Sequence, residues 1–147
     1  AEGALPREAR SRIMRSEVTL DIHTPPSAPE LRNLYSQVNW ARNRNVVEIQ
    51  HMIEGMNVFV VARRDGKLVG FGRALSDGTF KALVDDIIVD ESCRKQGVGR
   101  MIMGALMEQL SSIDEIFLHT GEHLNDFYMA FGFGKFTGYT MTVNKSQ

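Results

Sequence analysis

The stretch Arg94-Lys95-Gln96-Gly97-Val98-Gly99-Arg100 carries the most legible chemistry in this chain. Two glycines one residue apart let a backbone approach a bulky anion and adopt torsions that other residues resist. Where such a loop opens a helix, the first backbone N–H groups lack intrahelical acceptors and the helix dipole favours negative charge, so phosphate binds there. Arg94, Lys95 and Arg100 add mobile positive charge at the same point. Together they describe a pyrophosphate cradle. Spacing separates it from other phosphate loops. A dinucleotide fingerprint, G-x-G-x-x-G, needs a third glycine where Ile102 stands, and a Walker loop, G-x-x-x-x-G-K-S/T, is absent. What stands here is R-x-x-G-x-G, a fragment that by itself also fits a plain tight turn from strand to helix.

Such a cradle must be held between a strand and a helix, and the flanking residues supply both. Ala82 to Val89 reads as a strand, and Gly97 to about Ser111 as a helix with Val98, Ile102, Ala105, Leu106 and Leu110 on one face. Upstream, Val18 to Ile22 alternates as a strand, and Pro25, Pro26 and Pro29 then break the chain, with Ser27 a candidate cap. Leu31, Leu34, Tyr35 and Val38 recur at helical spacing, a second helix runs from about Val46 to Met56, and Trp40 lies between the two. Val58 to Arg63 and Lys67 to Leu75 pair around the turn signal Asp65-Gly66, and Asp77-Gly78 marks the next turn. Downstream, Ile116 to His119 makes a strand and Leu124 to Phe131 a short helix. Phe133 to Phe136 and Tyr139 to Val143 are expected to form a terminal hairpin around Thr137-Gly138. The sum is a mixed α/β domain, hairpins first and a strand-helix-strand unit after.

Composition bounds the function. With 147 residues and 43% of them hydrophobic, the chain suffices for one domain with a core. A charged fraction of 24% and a net charge of -1 argue against nonspecific nucleic-acid binding, which needs a basic surface. The one cysteine, Cys93, makes no internal disulfide, reads as incidental, and suits a reducing cytoplasm. No apolar run approaches the ~20 residues of a spanning helix, and the N-terminus lacks the apolar core of a secretory signal. Residues 1–15 are read as a flexible tail with Met14 a candidate natural start, and residues 16–147 as a single domain.

Context sharpens the loop. The run Asp86-Ile87-Ile88-Val89-Asp90, followed by Arg94-Lys95-Gln96-Gly97-Val98-Gly99 and a helix, resembles the acetyl-CoA motif of GNAT acetyltransferases. The later segment Asn125-Asp126-Phe127-Tyr128-Met129-Ala130-Phe131-Gly132-Phe133 resembles the same family's second signature, and the order of elements agrees from about Val18 to Val143. The resemblance implies a mostly antiparallel central sheet with one splayed parallel strand pair, flanked by about four helices. The splayed strands are then Ala82 to Val89 and Ile116 to His119. Backbone groups of Ile87, Ile88 and Val89 are implied to meet pantetheine, and amides from Arg94 to Arg100, including Lys95, Gln96 and Val98, to hold pyrophosphate. Asn125 and Tyr128 are implied to sit near the cofactor's sulfur end, and Phe127 to be a further cofactor-binding residue. The implied reaction is acetyl transfer from acetyl-CoA to a primary amine of a small molecule or peptide, with no metal. A CoA-binding sensor without turnover is the alternative. Acetyl-CoA and the amine are the expected partners, with a homodimer the candidate assembly and neither nucleic acid nor membrane a partner.

An amine with a pKa like lysine's ~10.4 must lose a proton before it attacks a thioester, so a base or a water chain to one is required. Asp86 ranks first and Asp85 second, and strand alternation puts them on opposite faces of the sheet. Glu122, His119 and His123 lie near the mouth of the next strand. Tyr128 is the implied donor to the departing sulfur. Met101, Met103 and Met107 read as core filling. Trp40, Tyr35, Phe71 and Phe80 are candidates for an aromatic acceptor pocket, although ordinary packing serves each as well.

Overall fold

The computed structural model describes residues 17–145, so the expected tail lies outside the described residues. Five strands, β1 (Thr19–Asp21), β2 (Val58–Arg64), β3 (Lys67–Ser76), β4 (Lys81–Val89) and β5 (Glu115–Phe117), form one sheet in sequence order. The first four are antiparallel and β4–β5 is parallel. Helices α1 (Ala28–Tyr35), α2 (Val46–Glu54), α3 (Val98–Gln109) and the short α4 (Asn125–Met129) complete the fold, with 3-10 turns at Glu91–Cys93 and Glu122–Leu124. No helix among the described residues is long and apolar enough to cross a membrane. The mixed α/β expectation is met.

Local chemistry explains the boundaries. Ser27 caps α1 and exchanges hydrogen bonds with Glu30, and Asn45 does the same for α2 with Glu48. The β2–β3 hairpin turns at Asp65 and Gly66, whose φ values of 51° and 75° are those of a two-residue primed turn. Both sheet faces are covered. Phe59, Val61, Leu68, Phe71 and Ile88 pack with α1 and α2, while Val60, Ala62, Val69, Ala82 and Val84 pack with α3. Glu30 also ties α1 to the sheet, because both its oxygens accept from Arg63 at 2.7 and 2.8 Å.

Two features of the sheet prepare the site. The β4–β5 ladder is only Lys81↔Glu115, Ala82↔Ile116 and Leu83↔Phe117, so Val84 to Val89 run on with a free edge where the parallel strands part. Between Phe71 and Arg73 the β3–β4 register shifts, and Asp86 takes a positive φ of 56° there. This is a β-bulge, which re-aims the side chains that follow it.

The expected terminal hairpin does not form. Among the described residues no strand follows β5. Phe136, Tyr139, Met141 and Val143 are 65–96% exposed. Their alternation suits a strand, but a strand needs a neighbouring edge for its amides and a core for its apolar face, and this segment meets neither. β5 ends at Phe117, short of the expected His119.

Glycine sets how closely α3 approaches the sheet. A Cβ at Gly72 would lie 2.7 Å from Ile102 Cγ2, 2.7 Å from Ile87 Cδ1 and 3.1 Å from Leu106 Cδ1. The Ile102 methyl is fixed at a branched carbon and cannot swing clear. Gly72→Ala should therefore destabilise the fold by about 1–3 kcal/mol through overpacking, read as a lower midpoint in urea. A midpoint equal to that of the unsubstituted chain would mean that α3 can step outward at no cost.

Candidate functional site

The bulge turns Asp86 into the α1–α2 face of the sheet. Its side chain has no exposure, and one oxygen, Oδ2, accepts three bonds: from Tyr35 Oη at 2.8 Å, Arg44 Nη1 at 2.8 Å and Arg73 Nε at 2.7 Å. Oδ1 is buried without a partner. Burial pushes this carboxyl up, but the charge of Arg73 and the hydrogen bonds from Arg44 and Arg73 outweigh it and hold the pKa below the ordinary value. Burial and the neighbouring Asp86 charge push the Tyr35 phenol far above its usual range. Arg44 also lies over the Tyr35 ring at 4.9 Å and the Trp40 ring at 5.5 Å.

Asp85 has a different setting. Arg73 Nη2 reaches its Oδ2 at 3.3 Å, and its side chain stays 43% exposed. The expectation that Asp85 and Asp86 take opposite faces is thus corrected: one guanidinium meets both carboxylates, because the bulge breaks the alternation. Burial, then the charge of Asp86, raises the Asp85 pKa above its ordinary value. Two adjacent carboxylates are driven apart in acidity, Asp86 downward and Asp85 upward. The first is an anchored anion and the second the more accessible carboxylate.

The glycine loop lies at the end of β4. Gly97, with φ 85°, is the N-cap of α3 and offers no side-chain cap. The first intrahelical bond runs from Met101 N to Gly97 O at 3.1 Å, so the amides of Val98, Gly99 and Arg100 precede it and point out unpaired. No acidic residue stands in that first turn. α1 and α2, with their capping boxes and first-turn glutamates, leave no such opening. Arg94, Lys95 and Arg100 are exposed around it, and Arg94 Nε donates to Val89 O at 3.2 Å. Gln96 ties the loop down from the surface: its Oε1 accepts from Arg64 Nη2 at 2.9 Å and its Nε2 donates to Ser92 O at 3.2 Å. Ile88 packs in the α1–α2 core, and Ile87 and Val89 pack toward α3.

The second segment meets the first. A Cβ on Gly99 would lie 3.7 Å from Val89 Cγ2 and 3.8 Å from Phe127 Cζ, so α3, β4 and α4 converge there. The Phe127 ring meets Tyr128 and Phe131 edge-on, at 5.0 and 5.6 Å between centroids. Burial, then the charge of Asp85, raises the Tyr128 pKa, which puts that carboxylate within electrostatic reach of the phenol. Asn125 is exposed, and its amide donates to Met129 Sδ at 3.2 Å. His119, Glu122 and His123 are exposed and take no part in the Asp85–Asp86 cluster. Of the aromatic candidates, Tyr35 and Phe71 are core residues, which leaves Trp40 and Phe80 at the surface. Arg44, Arg73, Arg64 and Gln37 escaped the sequence reading. An arginine gives no local signal of the carboxylate it will meet across the fold. Among the described residues no group of three or more His, Cys, Asp or Glu side chains gathers as a metal site would.

Residues 25–133 match the Acetyltransferase (GNAT) family. An uncharacterized N-acetyltransferase from Gracilaria tenuistipitata var. liui is 28% identical over 131 residues, covering 86% of this chain and 71% of that protein. Serotonin N-acetyltransferase 2, chloroplastic, from Oryza sativa subsp. japonica is 37% identical over 127 residues, covering 82% of this chain and 60% of the rice protein. Among solved structures, a protein of unknown function and probable acetyltransferase from meticillin-resistant Staphylococcus aureus superposes with a TM-score of 0.77 at 19% identity, over 87% of this chain and 99% of that one. That likeness is one of fold.

Asp86→Asn should cost about 3 kcal/mol of stability, since it leaves Arg44 and Arg73 partly buried without their shared counter-ion. A folded-state pKa below the ordinary value contributes stability that is present above about 3.8 and is lost as pH falls through the folded pKa. The gap between the two proteins in denaturant melts should hold from pH 8 to 5 and close only in stronger acid. Equal stability at pH 7 would remove Asp86 from its anchoring role.

Proposed function

The chain belongs to the GNAT family of acetyltransferases, and from that premise we propose that it moves the acetyl group of acetyl-CoA directly onto the nitrogen of a primary amine. The observation that carries this reading is the open N-terminus of α3, with unpaired amides at Val98, Gly99 and Arg100, beside the free edge of β4. An anionic pyrophosphate suits those amides and the three exposed cations around them. The free β4 edge from Val84 to Val89 offers backbone partners to an amide-bearing arm such as pantetheine. Val89 O exchanges its bond from Arg94 when such an arm arrives.

Acetyl-CoA supplies an activated thioester, and the protein's tasks are to free the amine, hold it, and assist the departing sulfur. Asp85 takes the proton from the ammonium, directly or through water, because it is the exposed carboxylate with the raised pKa. Asp86 holds Arg73 and Arg44 in place and stays ionised. The amine nitrogen then bonds to the acetyl carbon, the carbon–sulfur bond breaks, the sulfur leaves with the electron pair, and the nitrogen sheds its second proton to water to give the neutral amide. Tyr128 donates a hydrogen bond to that sulfur. Its raised pKa keeps the phenol protonated through neutral pH, which makes it a steady donor and a weak acid. Full proton transfer to a thiolate of ordinary pKa ~8.5 is uphill, so solvent finishes the protonation.

The acceptor enters from the α1–α2 connection, where Trp40 stands exposed beside Arg44. The rice relative carries serotonin in its name, so arylalkylamines head the panel of acceptors, followed by alkyl amines, amino sugars and peptides.

Thiol release from acetyl-CoA with that panel tests the reading. One amine should raise release well above the hydrolysis background, and none doing so would favour a CoA-binding sensor. On that acceptor, Tyr128→Phe and Asp85→Asn should each slow turnover about 10²-fold at pH 7. The Asp85→Asn deficit should shrink as pH rises toward the amine's own pKa, while that of Tyr128→Phe should not. Parallel pH profiles for the two variants would contradict the division of roles.

A further inference from the structure

The loop that presents α3 is braced by two side chains from elsewhere in the chain. At its start, Gln37, just after α1, donates from Nε2 to Asp90 Oδ2 at 2.9 Å and accepts from Glu91 N through Oε1 at 2.9 Å. Asp90 in turn accepts from Ser92 N and Oγ on Oδ1, at 3.0 and 2.6 Å, which winds the 3-10 turn. Near its end, Arg64 at the close of β2 donates from Nη2 to Gln96 Oε1 at 2.9 Å and from Nη1 to Cys93 Sγ at 3.4 Å. Gln96 Nε2 closes the loop on Ser92 O. Lys95 and Gly97 flank Gln96 with φ values of 61° and 85°. A non-glycine residue in that region is strained and persists only where its surroundings over-determine it.

Arg64 meets no carboxylate among the described residues, and its Nε is buried without a partner. A guanidinium is always charged and presents its donors in a rigid plane. Here it is a cation with no ion pair among the described residues, half-buried beneath a loop that ends in unpaired amides. Its fork spans the Cys93 and Gln96 side chains at once. Lysine, a point charge on a flexible stem, cannot fix both.

We infer that Arg64 and Gln37 are positioning residues for the acetyl donor: they hold residues 90–97 in the shape that aims the α3 amides, and Arg64 adds a positive charge beneath the bound pyrophosphate. This rests on the reading of that loop as the acetyl-CoA site. Neither residue lies in the motifs that mark the loop. Arg64, at the end of β2, lies outside the α1–α2 connection where the acceptor enters, so it acts on donor binding alone.

The test compares Arg64→Gln, Arg64→Lys and Gln37→Ala in the full chain. In steady-state kinetics Arg64→Gln should raise the KM for acetyl-CoA about tenfold, the loss of one hydrogen-bonded charged contact, with KM for the amine and kcat at saturating donor within twofold. Arg64→Lys should recover part of that loss at low salt and less at high salt, since it restores charge without the fork. Gln37→Ala should raise the same KM several-fold. Amide hydrogen exchange without any CoA should quicken across residues 93–100 in Arg64→Gln while β2 and β3 keep their protection. An unchanged KM for acetyl-CoA with unchanged exchange, or a loss spread equally over kcat and both KM values, overturns the inference. Failure of the unsubstituted chain to bind CoA in calorimetry would instead overturn the donor assignment, and quickened exchange would still establish the brace.

Discussion

A buried carboxylate with nowhere else to go organises this molecule. Asp86 lies on a strand whose preceding inward residues, Ala82 and Val84, pack in the apolar layer under α3. Continued alternation would drive its charge into that layer, at a cost of several kcal/mol. The register shift opposite Gly72 turns it instead to the other face, where Tyr35, Arg44 and Arg73 wait. Arg44 belongs to the α1–α2 connection, Tyr35 to α1 and Arg73 to β3, so one oxygen ties three elements together. Asp85 and Asp86 against Arg44 and Arg73 also balance in formal charge. The cluster is electrically closed, and its only well-exposed carboxylate is the one with the raised pKa.

The second constraint is a cap that is missing. α1 and α2 satisfy their first amides with capping boxes, worth about 1 kcal/mol over alanine and a few tenths over glycine at such positions. α3 gives up that gain for a glycine N-cap. The helix is secured by packing, since Val98, Ile102, Met103 and Leu106 are buried against the sheet, and its close approach needs Gly70 and Gly72 below. Stability thus comes from the helix's apolar face and leaves its N-terminus free for a ligand.

Much of this could be read in the residues. The glycine loop, the strand before it, the helix after it and the Ser27 cap all rest on local chemistry within a few positions. The bulge could not be read, because it depends on how Gly72 and Arg73 face Asp85 and Asp86 across two strands. That single residue of shift brings to one guanidinium two acids that alternation expects on opposite faces. Arg64 and Gln37 were silent for the same reason: their partners lie between 29 and 54 positions away. At Tyr139 to Val143 the error ran the other way. Alternation there is clean, but alternation describes a surface, and pairing requires an edge.

The proposed donor site requires the free amides of α3 to receive the donor's phosphates. A titration of isotope-labelled protein with CoA, followed amide by amide in nitrogen–proton correlation spectra, addresses it directly. The largest shifts should fall on Val98, Gly99 and Arg100, with a second group along the β4 edge from Val84 to Val89, while the capped first turns of α1 and α2 stay still. Shifts centred on another helix start, or spread evenly over the surface cations without the α3 amides, would contradict it.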